Sequence, residues 1–293
     1  APAGPSAGAG AAFSEGRFED AMNVLDGIVA RDPADAASWT LLGRSAVRFW
    51  KERSAEGKEA GWLLGDAKQY FDKALEEGRP VFSAAQGRSA RARAARPIAW
   101  AATALFGMTP GSDTEGRALL LLEARGAWEA VLAEDPRDAE AAVAWARLLV
   151  SRNRGEEAAA ILEPVLAVGR GGTEALETLD AARPNPYDRM EHYASLGTAS
   201  ETPELLWYRG RTAAMAGDAT ALTGEHKAAD ALFGSAVADM LGAADGQPDF
   251  RDSALWWASV ATANQGWCRW WSDEDVLGAW PFFLEAVRLA PGA

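Results

Sequence analysis

The chain has 293 residues, of which 48% are hydrophobic and 24% charged, so it can bury a large core. Its net charge of −13 argues against binding to nucleic acid, and no apolar run approaches the roughly 18 residues that span a bilayer. A single cysteine, Cys268, excludes an internal disulfide and a structural zinc site. Because Ala and Leu carry much of the apolar content, an all-α fold is favoured.

The first ten residues, APAGPSAGAG, have little pattern and predict a frayed or incomplete helix. A start without methionine that is rich in small residues favours a mature end left after signal-peptide cleavage, and hence a periplasmic or exported protein. The alternatives are a trimmed chain and a cytoplasmic protein.

Apolar side chains recur at helical spacing along most of the chain. This periodicity predicts helices at 17–30, 36–52, 60–77, 83–107, 116–133, 138–152, 155–168, 203–216, 225–242, 251–266 and 275–289. Glycines, an Asn-Pro pair and polar residues at 171–203 predict a long connection with one short helix at 173–182. We therefore expect N-terminal repeats at 1–170, the connection at 171–203 and C-terminal repeats at 204–293, with essentially no sheet.

One side-chain pattern recurs in these helices: Ala, a large apolar residue four positions later, and a small or aliphatic residue three positions after that. The copies are Ala21-Leu25-Ile28, Ala67-Phe71-Ala74, Ala124-Trp128-Val131, Ala158-Leu162-Val165, Ala229-Phe233-Ala236 and Ala279-Phe283-Ala286. These spacings place the three side chains on one helical face. The small residue lets a neighbouring helix approach, and the large one fills the gap that remains.

A second type of helix, with Trp or Gly at a contact position, precedes most copies. Examples are Trp39 with Leu42-Gly43, Gly210 in LLWYRGRTAA and Trp256 in SALWWASVATA. This order resembles the tetratricopeptide repeat, in which two antiparallel helices recur every 34 residues or so. The resemblance implies a right-handed α-solenoid of about five to six helical hairpins, and several turns between paired helices are enlarged here.

In tetratricopeptide arrays the first helix of each pair lines a concave groove, and the residue after the glycine-like position points into it. The resemblance therefore implies a groove for a protein or peptide partner, and an acidic segment is one candidate because Arg forks bind carboxylates in a bidentate manner. The predicted partner-binding residues are Arg44, Arg48, Arg147, Trp207, Arg211, Trp257, Asn264 and Gln265. The alternative is that these arginines pair with carboxylates of the same chain.

Residues typical of catalysis are sparse. His192 and His226 lie in predicted loops without metal-ligand spacing, and there is no nucleophile elbow or nucleotide-binding loop. We predict no enzyme activity, no metal and no cofactor. Cys268, among tryptophans, is expected to be a buried and inert core residue.

The chain contains 13 tryptophans. Trp39, Trp128 and Trp256 fall on predicted core positions, whereas a C-terminal cluster is interpreted either as a second packing interface or as a partner platform. The cluster comprises Trp257, Trp267, Trp270 and Trp271.

The predicted function is a non-catalytic protein–protein interaction scaffold, within a hetero- or homo-oligomeric assembly, that binds through its groove and inserted turns. The alternative is a carbohydrate-binding or carbohydrate-active helical toroid that uses the tryptophan cluster, with Asp273 or Glu274 as acid groups.

Overall fold

The computed structural model describes residues 5–196, 201–273 and 275–291. Across these ranges every regular element is helical, which confirms the predicted all-α fold. The α-helices are α1 (Pro5–Ser14), α2 (Phe18–Val29), α3 (Ala36–Ala55), α4 (Trp62–Ala84), α5 (Arg88–Met108), α6 (Thr114–Glu134), α7 (Ala139–Val150), α8 (Gly155–Leu166), α9 (Gly172–Ala182), α10 (Pro186–Ser195), α11 (Pro203–Leu222), α12 (His226–Gly246), α13 (Arg251–Asp273) and α14 (Val276–Leu289). A short 3-10 helix, Pro248–Phe250, precedes α13.

The chain divides into two compact units, Ala1–Pro136 with α1–α6 and Arg137–Ala293 with α7–α14. This boundary differs from the predicted one, because most of the expected connection at 171–203 is helical. The short helix predicted at 173–182 is α9, but α10 was missed. The Asn-Pro pair that predicted a turn begins α10: the Asn185 side chain accepts a hydrogen bond from the Tyr187 amide, and Pro186 is the first helical residue.

Aspartates begin several other helices in the same way. The Asp35 carboxylate accepts hydrogen bonds from the Ala37 and Ser38 amides at the start of α3, and Asp138 accepts from Ala141 at the start of α7. Two predicted helix ends were too early: α4 continues through Pro80 to Ala84, and α13 continues to Asp273.

Short turns make successive helices antiparallel, and six hairpins pack closely: α1/α2, α3/α4, α5/α6, α7/α8, α11/α12 and α13/α14. Helices two apart in sequence also pack. In the first unit α3 contacts α1 and α5, and in the second unit α9 contacts α7 and α11, while α11 also contacts α13. The odd-numbered helices of each unit therefore share a layer, which is the contact pattern of an α-solenoid.

The predicted small-and-large pattern forms the core. Ala67, Phe71, Ala229 and Phe233 are each at most 1% exposed. The Phe71 ring packs directly against the backbone of Gly43, as the sequence predicts, since a Cβ at this glycine would lie 2.6 Å from it. Small residues thus allow the close approach of paired helices that large ones fill.

Two contact positions differ from the predicted ones. Phe233 packs against Gly217, whereas Gly210 lies two turns earlier on α11 and faces Met240. The prediction that Trp256 is a core residue was wrong, since it is 45% exposed. Its neighbour Trp257 packs on the core instead, because Ala254 and Ala258 set the buried face of α13.

Candidate functional site

The predicted groove arginines lie on odd-numbered helices, but three of the four have neighbours within their own unit. Arg44 on α3 has its guanidinium 4.1 Å from the centre of the Trp100 ring and 5.0 Å from that of Phe13. Arg147 on α7 lies 3.6 Å from the Glu174 carboxylate. Arg48 on α3 is exposed. The Arg44 and Arg147 contacts fit the alternative in which arginines pair internally.

Arg211 on α11 belongs to a buried charge cluster around Asp180. The Asp180 carboxylate accepts hydrogen bonds from Arg211 and from the Tyr193 hydroxyl at 2.8 Å, and pairs with Arg189 at 3.1 Å. Arg189 is only 4% exposed. Burial, followed by the charge of Asp180, raises the pKa of Tyr193, so its hydroxyl stays a donor. This cluster joins α9, α10 and α11, and its role is structural because Arg211 is held within it.

The remaining predicted residues lie on α11 and α13. The Trp207 indole donates to Ser253 at 3.1 Å, and its ring lies under the Arg211 guanidinium at 4.8 Å. Trp257 is half-buried against the core. The Gln265 amide donates to the backbone and side chain of Asp230 on α12. Of this group, only Asn264 reaches an open site.

That site is a cavity of about 420 Å³ in the second unit, where α11 and α13 meet the start of α12. Its lining residues are Asp218, Ala221, Leu222, His226, Phe233, Asn264, Trp267, Cys268 and Trp271. A volume of this order accommodates a single large side chain or a small ligand.

Tryptophans form the exposed wall of this cavity. Trp267 and Trp271 lie one turn apart on α13 and are 45% and 67% exposed. The neighbouring Trp270 stacks on Trp267, with ring centres 5.1 Å apart and planes 10° from parallel. Leu222 on α11 is 90% exposed at the rim. We call Trp267, Trp270 and Trp271 the tryptophan ridge.

A carboxylate on α11 supplies the cavity's charge. Asp218 accepts a hydrogen bond of 2.9 Å from the Asn264 side-chain amide, and burial raises its pKa. In the described part of the chain, no Lys or Arg side chain pairs with Asp218. Cys268 is 3% exposed, as expected, and burial raises its pKa to about 11. The cavity is therefore aromatic, with one carboxylate that lacks a cation among the described residues.

The sequence analysis missed Asp218, although a signal for it existed. The residue after the glycine-like position was expected to face the groove, and the rule was applied at Gly210, which gave Arg211. The glycine that packs against Phe233 is Gly217, and the residue after it is Asp218. Gly266 packs against Phe283 in the next hairpin, and Trp267 follows it.

Both histidines lie on helices rather than in the predicted loops. His192 is on α10, where burial and then the nearby charge of Arg183 lower its pKa. His226 begins α12 and lines the cavity. Within the described ranges, His, Cys, Asp and Glu nowhere form a group of three that could hold a metal ion. The side chain of Asp273 and all of Glu274, the acid groups of the carbohydrate alternative, lie outside the described residues.

Two other surface features offer less chemistry. A cavity of about 640 Å³ between α3, α4 and α5 is lined mainly by alanines, and its Asp35 carboxylate already caps α3. Helix α14 exposes an apolar stripe that includes Leu277 at 86% and Trp280 at 60%. None of the helices in the described ranges has the length and hydropathy needed to cross a lipid bilayer.

The fold and the site define an all-α helical-repeat protein with an aromatic cavity between neighbouring odd-numbered helices. No family model matches the chain, and no curated protein is similar to it in sequence. Two solved structures similar to it are tetratricopeptide-repeat proteins, the family that the sequence pattern resembles. One is the thermophilic protein TTC0263 of Thermus thermophilus, with 15% identity, 87% of this chain and 96% of that chain covered, and a TM-score of 0.42. The other is the P58(IPK) tetratricopeptide domain, with 12% identity, 97% and 82% covered, and a TM-score of 0.24.

Proposed function

We propose that this chain is a non-catalytic protein–protein interaction scaffold that binds a segment of a partner protein at the cavity and the tryptophan ridge. The observation that carries the proposal is the concentration of exposed apolar side chains in one part of the second unit. Half of the large apolar side chains exposed in the described residues lie on α13 and α14. Exposed apolar patches of this kind are typical of interaction sites, and Trp is enriched at their energetic centres.

The energetics favour a macromolecular partner. Covering about 100 Å² of exposed indole stabilises a complex by about 2.5 kcal/mol, before the entropic costs of association. Three adjacent rings in the tryptophan ridge multiply that gain, and they lose little side-chain entropy because Trp267 and Trp270 are already stacked. The groove predicted around Arg44, Arg147 and Arg211 is less favoured, because each of these side chains has an internal aromatic or carboxylate neighbour.

Site-specific photo-crosslinking tests this function. A benzoylphenylalanine placed at position 271 in the full chain is compared with one placed at position 62. Trp62 on α4 is a matched control, since it is 61% exposed but has no neighbouring tryptophans in sequence, whereas Trp271 is 67% exposed. We expect a discrete crosslinked protein from position 271 only. Identical crosslinking patterns at both positions would contradict the proposal.

A carbohydrate-binding function is the second candidate, and the flat stack of Trp267 on Trp270 favours it because sugar rings also pack on indole faces. A glycan array probed with the native chain and with Trp271→Ala separates the two functions. Glycan binding that is lost in Trp271→Ala would support the second candidate, and an array without binding would exclude it for the glycans present.

A further inference from the structure

The cavity between α11 and α13 is complementary to a cation. Asp218 holds a carboxylate at its edge, and among the described residues the side-chain hydrogen bond to that carboxylate is the neutral one from Asn264. The nearest arginine on α13, Arg269, is already engaged: its guanidinium lies 3.4 Å from Asp230 and 4.8 Å from the centre of the Phe282 ring. A carboxylate in a partly dehydrated site without a counter-charge is stabilised by an incoming cation.

The aromatic wall points to the same ligand. Cations are attracted to the faces of indole rings, most strongly where water is excluded. Elsewhere in the chain this interaction is satisfied internally, since Arg44 lies over Trp100 and Arg211 lies over Trp207. Over the described residues, no guanidinium lies on Trp267 or Trp271, although both border the cavity. Two cation-binding elements, a carboxylate and indole rings, thus meet in the described structure with no cation between them.

We propose that this cavity takes the basic side chain, lysine or arginine, of the bound partner segment, with Asp218 pairing with the charge and Trp267 and Trp271 covering the aliphatic stem. This inference rests on the proposed function and specifies the chemistry of the partner. The cavity volume of about 420 Å³ accommodates one long side chain. The chain's net charge of −13 also attracts a basic segment rather than an acidic one.

A titration monitored by NMR tests the proposal. The full chain, labelled with ¹⁵N, is titrated with a capped five-residue peptide that has one central lysine between glycines, and with the same peptide carrying Nε-acetyl-lysine. The indole N–H signals of Trp267 and Trp271 are assigned from Trp267→Phe and Trp271→Phe. We expect the lysine peptide to shift both signals and the neutral acetyl-lysine peptide to leave them in place.

Asp218→Asn supplies the charge control, because it removes the carboxylate and keeps an oxygen that can accept from Asn264. We expect it to weaken lysine-peptide binding about fivefold. Asp245→Asn is its matched control, since Asp245 is an exposed carboxylate near the far end of α12 from His226 and should leave the affinity unchanged. Equal binding of the two peptides, no binding of either, or equal affinities of the two variants would overturn the inference. Specific crosslinking from position 271 would in those cases still support the interaction function.

Discussion

Gly43 on α3 and Phe71 on α4 pack so closely that a Cβ built on the glycine would lie 2.6 Å from the phenyl ring. Phe71 is 1% exposed, so its ring has no free space into which to move. The same relationship recurs in the second unit between Gly217 and Phe233, where the distance would be 2.7 Å. Glycine at these positions is therefore required by the neighbouring helix rather than by backbone conformation.

Gly43→Ala should destabilise the protein, although alanine is the better helix former. Overpacking against a buried ring costs about 1–3 kcal/mol, which outweighs the gain of up to about 1 kcal/mol in helix propensity. Gly126→Ala is the matched control, since Gly126 lies in α6, where a Cβ would meet no described atom within 4 Å, and it should be stabilising. Urea unfolding measures both, and a Gly43→Ala protein as stable as the native one would refute the packing argument.

Removal of the carboxylate at the centre of the buried charge cluster should be among the most damaging single changes. Asp180→Ala leaves Arg189 and Arg211 without their shared partner, and breaking a buried pair in this way costs about 3–5 kcal/mol. Glu129→Ala removes the partner of Arg125 in an exposed pair and should cost no more than about 1 kcal/mol. The comparison uses urea unfolding, and similar losses in the two variants would count against a structural role for the cluster.

Cys268 should react slowly in the folded protein. Burial raises the pKa of its thiol to about 11, whereas a thiol in the unfolded chain has a pKa of about 8.5. Because the thiolate is the reactive form, alkylation by iodoacetamide at pH 8 should be slower by about a hundredfold or more in the native state than in urea. Rapid labelling of the native protein would mean that the thiol is accessible and ionised.

Asp218→Asn should stabilise the protein at neutral pH, by no more than about 1 kcal/mol because the carboxylate is partly exposed. The sign follows from linkage. Since burial raises the pKa of Asp218 in the folded state, the native protein binds its proton more tightly, and stability falls as pH rises from the unfolded pKa through the folded one. Above that window the charged form costs stability that asparagine avoids.

The advantage of Asp218→Asn should therefore disappear below the ordinary aspartate pKa, where both states are protonated. Thermal unfolding of the two proteins across the acid range measures this difference. The other titratable groups lining the cavity, His226 and Cys268, are the same in both proteins and cancel in the comparison. A variant that is less stable at neutral pH would contradict the assignment of Asp218 as a residue retained at a cost to stability.

The sequence by itself determined the helical class and the buried face of most helices. Helical periodicity is local, so Ala67, Phe71 and Ala74 must share one face wherever the helix lies. The same local rules placed the start of α3 after Asp35. They were weaker where one signal has two meanings, as at Asn185-Pro186, which begins a helix instead of a loop.

The tertiary structure alone decided which side chains remain available for binding. Arg211 is held by Asp180 on α9, and Asp218 meets Asn264 from α13. Each of these pairings depends on how far one helix is rotated against another, which no local spacing fixes. A shift of one residue exchanged the expected environments of Trp256 and Trp257, because adjacent positions on a helix point about 100° apart.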